Sequence, residues 1–233
     1  MVIKYETEKE SSWKELKAAA QDGRIREVIS SGDRIPVALK TGEEVVFVAS
    51  YDEKGKLFFV MENCLKDPRR MNEKPTNEGG WAASELRKIA NGEIFESLPD
   101  DLREVIVPTK IIQVIDGERI ECEDKLFCLS FTQIRGRVED WEEIAEMEPE
   151  DSQLEIFKSS EKSRVKERTG ETAFWWSRSP SIVYSNYFIY TYTSGTVGNS
   201  YYANYRYGVS LGFCIHDPDN LAPLWGEEEK HIV

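Results

Sequence analysis

The chain has 233 residues, 40% hydrophobic and 11% aromatic, and a formal net charge of −13. Such a composition belongs to a globular chain able to bury a substantial core and excludes a disordered one. The acidic balance excludes unaided binding to nucleic acid, which needs a basic footprint, and docking on anionic membranes.

Met1–Lys14 is polar and charged and lacks the apolar stretch of an export signal. No run approaches the roughly 20 apolar residues that a membrane span requires. The expectation is synthesis in the cytoplasm with no direct membrane insertion. Residues 7–30 read as an amphipathic helix, with Trp13, Leu16, Ala20, Ile25 and Val28 near helical spacing and Gly32 as its stop. This gives a helical appendage over residues 1–30. The runs IPVALK, EEVVFVASY and KLFFVM then predict antiparallel strands, separated by the turn-like TGE and DEKGK.

A helix is predicted from Trp81 to Ala90, after a Gly-Gly break and before Gly92. Pro99 suits the first turn of a short helix through Val105, where its missing N–H is not needed. TKIIQVIDGERIECE predicts a hairpin whose Asp116-Gly117 pair fits a type I′ turn. Residues 139–168 are acidic, then mixed in charge, and read as a loop followed by a solvated surface helix near 150–168. The last third alternates short strand-like pieces with Gly and Ser turns and ends in the apolar GVSLGFCI, a candidate buried closing strand. No linker or repeat divides residues 31–217, so they read as one domain, with 218–233 as a tail.

Little in the chain suggests catalysis. The histidines are His216 and His231, neither at metal-ligand spacing to a partner, and His216-Asp217-Pro218 reads as a turn. No glycine-rich phosphate loop, HExxH or GxSxG is present. Cys64, Cys122, Cys128 and Cys214 are scattered in apolar surroundings and read as buried free thiols; Cys122 and Cys128 have no matching pair with which to hold zinc. No catalytic residue, metal ligand or cofactor is therefore expected. In FWWSRSP (174–180) the adjacent tryptophans of a strand point to opposite faces, and Arg178 is expected to reach a buried carboxylate or carbonyl. MNEKPTNEGGWAASELRK is expected to buttress the core with Trp81 buried.

One stretch differs in chemistry from the rest. SIVYSNYFIYTYTSGTVGNSYYANYRY (181–207) holds 8 of the 10 tyrosines, no Lys, Asp or Glu, and one Arg. Tyr gives rigid amphipathic contact area at low entropic cost, and Ser, Asn and Gly give adaptable hydrogen bonds, which is the composition of a paratope. The candidate ligand-binding residues are Tyr184, Tyr187, Tyr190, Tyr192, Tyr201, Tyr202, Tyr205 and Tyr207 for rings and hydroxyls, Asn186, Asn199 and Asn204 for donors and acceptors, and Arg206 as the single charge. Tyr190 and Tyr192 should share a strand face, whereas Phe188 and Val197 should be buried. The segment holds no carboxylate, so calcium-dependent sugar binding is not expected there.

DPRRMNEKPTNEGGWAASELRK, SLPDDLREVIVPT, ECEDKLFCLS, FWWSRSP and GVSLGFCI, in that order, resemble a domain widespread in gut Firmicutes and their phages. Its members are similar to C-type-lectin-like variable proteins diversified by retroelements. The resemblance covers about residues 30–216. It implies an α+β, C-type-lectin-like fold, with small antiparallel sheets, flanking helices and long irregular loops, whose C-terminal part displays a variable binding surface. It also implies a protein or cell-surface ligand and leaves association with a virion as an alternative destination. Such retroelements mutate template adenines, typically in AAY codons, from which Lys, Glu, Gln, Met and Trp cannot be reached. None of those five occurs between Ser181 and Tyr207. The chain departs from the pattern at Ser177, where an apolar residue is usual, and in a few residues inserted after Pro180. Two other readings stand beside this one. Tyrosine faces also stack on sugars, which fits a calcium-independent carbohydrate-binding module. Lectin-like folds also host the oxidative chemistry of the formylglycine-generating family, which would need exposed cysteines of depressed pKa.

Overall fold

A capping box starts the first helix, α1 (Trp13–Gln21): the Ser12 hydroxyl accepts from the Glu15 amide, and the Glu15 carboxylate accepts from the Ser12 amide. The computed structural model describes residues 12–216. Residues 7–11 of the expected helix, Asp217-Pro218, His231 and the tail lie outside the described residues. The expected single helix to residue 30 is broken. Gly23, at φ 70°, ends α1, with Gly23 N donating to Ala20 O and Arg24 N to Ala19 O, and a separate turn, α2 (Ile25–Val28), follows. This is a glycine-centred C-terminal cap, and the stop lies at Gly23 instead of Gly32. Helix α1 joins the main core. Trp13 sits edge-on to Phe59 at 5.2 Å and to Phe213 at 5.7 Å.

The strands β1 (Arg34–Ala38), β2 (Glu44–Tyr51) and β3 (Leu57–Met61) follow as an antiparallel meander. Along β2, Phe47, Ala49 and Tyr51 point inward, the two-residue period of a half-buried strand. The predicted helix at 81–90 is segmented and longer. Its parts are α3 (Gly80–Ala83), α4 (Glu85–Ile89), a π-helical turn (Ala90–Ile94) and α5 (Phe95–Ser97). Ser84 breaks the first segment and caps the second by accepting from Arg87 N. Gly92 does not end the helix. The Asn91 amide spans from its own turn (Arg87 O, 3.1 Å) to Leu126 O (2.9 Å), and the burial of Leu86, Ala90, Ile94 and Phe95 carries the helix onward. A side chain tied into a neighbouring segment is a common companion of such a widened turn. Pro99 directly precedes α6 (Asp100–Val105).

The hairpin forms as expected from β4 (Thr109–Ile115) and β5 (Glu118–Asp124), with Asp116 and Gly117 both at positive φ, as a type I′ turn requires. Next come β6 (Phe127–Cys128), α7 (Phe131–Arg135) and α8 (Glu142–Glu146). The surface helix predicted near 150–168 is absent. Two 3₁₀ turns, Glu155–Phe157 and Glu161–Arg164, lead instead into β7 (Lys166–Arg168), which pairs with β8 (Glu171–Ala173). Leu154, Phe157, Arg164 and Lys166 are buried, a spacing that no helical stripe provides.

The last strands are β9 (Trp175–Pro180), β10 (Tyr187–Thr191), β11 (Val197–Tyr202) and β12 (Leu211–Phe213). Two main antiparallel sheets result, one of order β1-β2-β3-β12-β6 and one of order β11-β10-β9. As expected, GVSLGFCI is a buried closing strand. It is inserted between β3 and β6, where Phe213 stacks on Phe59 at 5.3 Å. The architecture is α+β, with small antiparallel sheets and flanking helices. No described helix is long and apolar enough to cross a membrane.

Candidate functional site

The tyrosine-rich segment forms the central strand β10 and the edge strand β11 of the three-stranded sheet, and the rest of the chain holds its backbone at several points. Asn77 is central. Its side-chain amide lies 3.0 Å from Ser181 O, 3.0 Å from Tyr184 O and 2.9 Å from Tyr187 O, while its backbone N–H donates to Ser185 O. Asn72 N donates to Ala203 O, and Arg69 and Tyr207 exchange both backbone hydrogen bonds at 3.0 and 3.1 Å. Trp176 secures the same loop, donating its indole N–H to Arg69 O at 2.9 Å. Carbonyls that would otherwise compete for water are thus satisfied by one loop, residues 69–77, at both ends of the segment. The Ser181 hydroxyl adds a local turn by accepting from Val183 N and Tyr184 N.

All eight tyrosines belong to one network of ring contacts. Tyr184 meets Tyr187 at 4.9 Å, Tyr187 meets Tyr202 at 4.5 Å, Tyr201 meets Tyr205 at 4.6 Å, and Tyr207 meets Tyr190 at 5.0 Å. Tyr201–Tyr202 at 5.5 Å and Tyr201–Tyr207 at 6.1 Å join these pairs, and Tyr190–Tyr192 at 5.1 Å extends them. The register places Tyr201 opposite Phe188 and Tyr202 opposite Tyr187. Directly opposed residues share a face, so the network wraps around the end of the strand pair instead of lying on one side.

Burial separates the candidates. Tyr184 (53% exposed), Tyr205 (50%) and Tyr202 (37%) are open, as are Asn199, Asn204 and Arg206. Asn186, Tyr187, Tyr192, Tyr201 and Tyr207 are half-buried. Tyr190 is a correction, because at 6% exposure it packs among Phe174, Trp176 and Tyr207 and belongs to the foundation. Phe188 and Val197 are buried, as expected. Arg206 donates to Pro68 O at 3.4 Å, on the side of the supporting loop. Sequence reasoning missed four exposed apolar neighbours: Trp141, Phe174, Ile182 and Val183. Ile182 and Val183 lie inside the segment, but as apolar residues they do not stand out in a paratope-like composition. Trp141 stood in a charge run that gave no hint of proximity.

The surface is uncharged apart from Arg206. Burial pushes the Tyr207 phenol up to about 12 and raises Tyr190 further, while the neighbouring Tyr202 hydroxyl pushes Tyr187 up to about 12. Those phenols are neutral near pH 7 and offer hydrogen-bonding hydroxyls.

Beneath this surface lies a polar network that the charge run concealed. Arg178 pairs with Asp151, donates to Gln133 Oε1 at 2.8 Å and to Cys128 O at 2.9 Å, and so reaches both a carboxylate and a carbonyl. Glu148, fully buried, accepts from the Ser179 hydroxyl and from Thr132 N and Oγ1. Burial, with Asp151 nearby, lifts its carboxyl to about 7. Ser177, the departure from the apolar residue usual there, is satisfied by donating to Ile189 O at 3.1 Å and ties β9 to β10. Lys166 is buried with its amine on Met61 O and Glu62 O, 5.0 Å from the Trp175 ring; burial holds it down to about 8.

The cysteines are free. Cys64, Cys128 and Cys214 are buried and Cys122 is half-buried. Burial pushes all four thiols up, Cys64 to about 11 and Cys122 and Cys214 to about 12.

No curated protein and no solved structure matches the chain. A family model does match, over residues 54–217, which take in the supporting loop, the buried network and the whole tyrosine segment. The chain belongs to that family, described as a domain of unknown function (DUF6273).

Proposed function

We propose that this chain is a non-enzymatic ligand-binding protein that displays residues 181–207 as a binding surface on a C-type-lectin-like scaffold. The observation that carries the reading is the pairing of an open, uncharged aromatic network with a backbone held from one loop by Asn77, Asn72 and Arg69. Loop ordering normally subtracts from binding free energy, and a segment tied down in advance avoids much of that cost. Tyr and Arg are residue types that anchor such interfaces. Elevated thiol pKa values favour this reading over cysteine-based oxidative chemistry, which requires an accessible thiolate.

The surface is further proposed to be diversified by a retroelement of phage or prophage origin, with a protein or cell-surface target. The absence of Lys, Glu, Gln, Met and Trp from residues 181–207 supports this. Sequencing the encoding locus tests it. A nearby reverse transcriptase, with a template repeat that differs from the 181–207 codons only at adenines, is the expected result. A locus without either, and no remote template, overturns diversification and leaves a fixed binding domain. Calcium-independent carbohydrate binding is the alternative, favoured by the ring faces of Tyr184, Tyr202 and Tyr205. Loss of target binding after enzymatic deglycosylation would select it.

A further inference from the structure

We infer that the outer edge of β11 is a docking rail for an extended, cationic peptide segment of a partner protein. This rests on the reading of residues 181–207 as a ligand surface and adds the chemistry of its ligand. β11 is the edge strand of its sheet, paired with β10 on one side. Ala203 N bonds Asn186 O, so by antiparallel alternation Tyr201 and Asn199 direct their backbone groups inward to β10. The N–H and C=O of Ser200 and the N–H of Tyr202 then face outward, and no described residue bonds them. An unpaired edge is a ready template for an added strand.

Trp141 and Glu161 mark out one flank. Gly198, at φ 122°, lies so close to the Trp141 indole that a Cβ there would come within 3.0 Å of it. Gly195 is closer still to the Glu161 carbonyl, at 1.9 Å for an added Cβ. These contacts place Trp141, and with it the acidic turn 139–143, over one face of the strand, and the turn at 161 against the hairpin loop that leads into it. Glu139, Asp140, Glu142, Glu143 and Glu161 are exposed, and none of them forms an ion pair with a described residue. The strand itself contributes no carboxylate to this edge, and its neighbours contribute four in the turn 139–143 outside any ion pair with a described residue, and a fifth, Glu161, whose charge acts on the buried Arg164.

The charge complement of that arrangement is a Lys- or Arg-bearing strand. Its backbone would pair with Ser200 and Tyr202, its cations would face the acidic turn, and its side-chain stems would lie along Trp141 and Tyr202. Aromatic faces beside carboxylates suit such cations, through ring attraction and stem packing. Arg206, the one cation of the segment, is tied toward Pro68, at the supporting loop, and does not oppose them.

The test uses the full chain and three end-capped decapeptides: alternating Lys-Thr, alternating Glu-Thr, and Lys-Thr N-methylated on alternate amides. Titration calorimetry in low and high salt reads the affinity. The Lys-Thr peptide is expected to bind and to weaken at least tenfold in high salt, while the other two do not bind measurably. Ser200→Pro removes an outward N–H without touching the ladder to β10 and should weaken binding at least tenfold, as should E139Q/D140N/E142Q/E143Q. Circular dichroism checks that each variant is folded. Equal binding of the acidic peptide, binding unchanged in either variant, or no binding of Lys-Thr at millimolar concentration overturns the inference. Binding that is lost in the charge variant but unchanged in Tyr202→Ser/Tyr205→Ser overturns the tyrosine reading instead, and with it the composite site.

Discussion

β9 and β11 lie in the same small sheet and use polar side chains in opposite ways. On β9, Ser177, Arg178 and Ser179 are buried, and each is bonded to a named partner across the fold. On β11, Asn199 and Tyr202 face solvent, and Ser200 is half-buried at the open edge. Buried polar groups must be satisfied with good geometry, so each partner on β9 constrains the others. On β11 the Asn199 amide bonds only the Tyr192 hydroxyl, within the same segment, so its polar groups constrain the rest of the fold little. One sheet therefore carries a determinate side, which fixes the fold, and an adaptable side, which can vary without unfolding it. β10 lies between them, with Phe188 and Ile189 buried and Tyr187 half-open.

The comparison would break most visibly at Arg178. Arg178→Met leaves the buried Cys128 carbonyl and the half-buried Asp151 without their partner, and unfolding in urea should show a loss of about 3–5 kcal/mol. A loss below about 1 kcal/mol would mean that β9 is no more determinate than β11. Glu148 sharpens the same side through pH. Its carboxyl titrates near pH 7 in the folded chain against an ordinary 4.5. The folded chain thus keeps a proton that the unfolded chain has released, and stability from it is complete below about pH 4.5 and lost as pH rises through 7. Wild-type stability should fall between pH 5 and 8 by on the order of 2 kcal/mol more than that of Glu148→Gln, whose amide does not titrate. Parallel pH profiles for the two proteins would contradict the burial of a carboxyl at this point.

Asn77 tests the connection between the two sides. Asn77→Ala removes a donor shared by three carbonyls and should cost about 1–2 kcal/mol. Faster amide hydrogen exchange should accompany it, confined to residues 181–187 and the strands they lead into. Global exchange with no local signature would show that the loop supports the core and not the segment.

Much of the frame was legible in the sequence because its signals are local. The Asp116-Gly117 turn, the three-strand meander and the apolar closing strand each follow from short-range chemistry, and all appear as expected. The helix stop is not legible in the sequence because Gly23 and Gly32 both look like caps, and only the hydrogen bonds of Arg24 and Gly23 choose between them. Residues 148–166 failed for a different reason. A charge run reads as a solvated face by default, whereas Glu148, Arg164 and Lys166 are buried by partners distant in sequence, Ser179, Ile134 and Met61. The tyrosine segment was visible as composition, but composition could not rank its members. Tyr190 and Tyr205 are chemically identical, and only the packing of Phe174 and Trp176 over the first separates foundation from surface. Asn77 gave no signal, since an Asn before Glu-Gly-Gly reads as a turn.

The most direct measurement of the division between scaffold and surface is the thermal unfolding of a fivefold variant: Tyr184, Asn199, Tyr202, Asn204 and Tyr205 all replaced by Ser. Exposed substitutions cost little, and the ring contacts they remove are worth under about 1 kcal/mol each at an open site. The account predicts a melting temperature within about 5 °C of wild type, with the single variant Tyr190→Ser falling further than all five together. A fivefold variant that melts more than about 10 °C lower, or that falls below Tyr190→Ser, would contradict it and make these tyrosines part of the core.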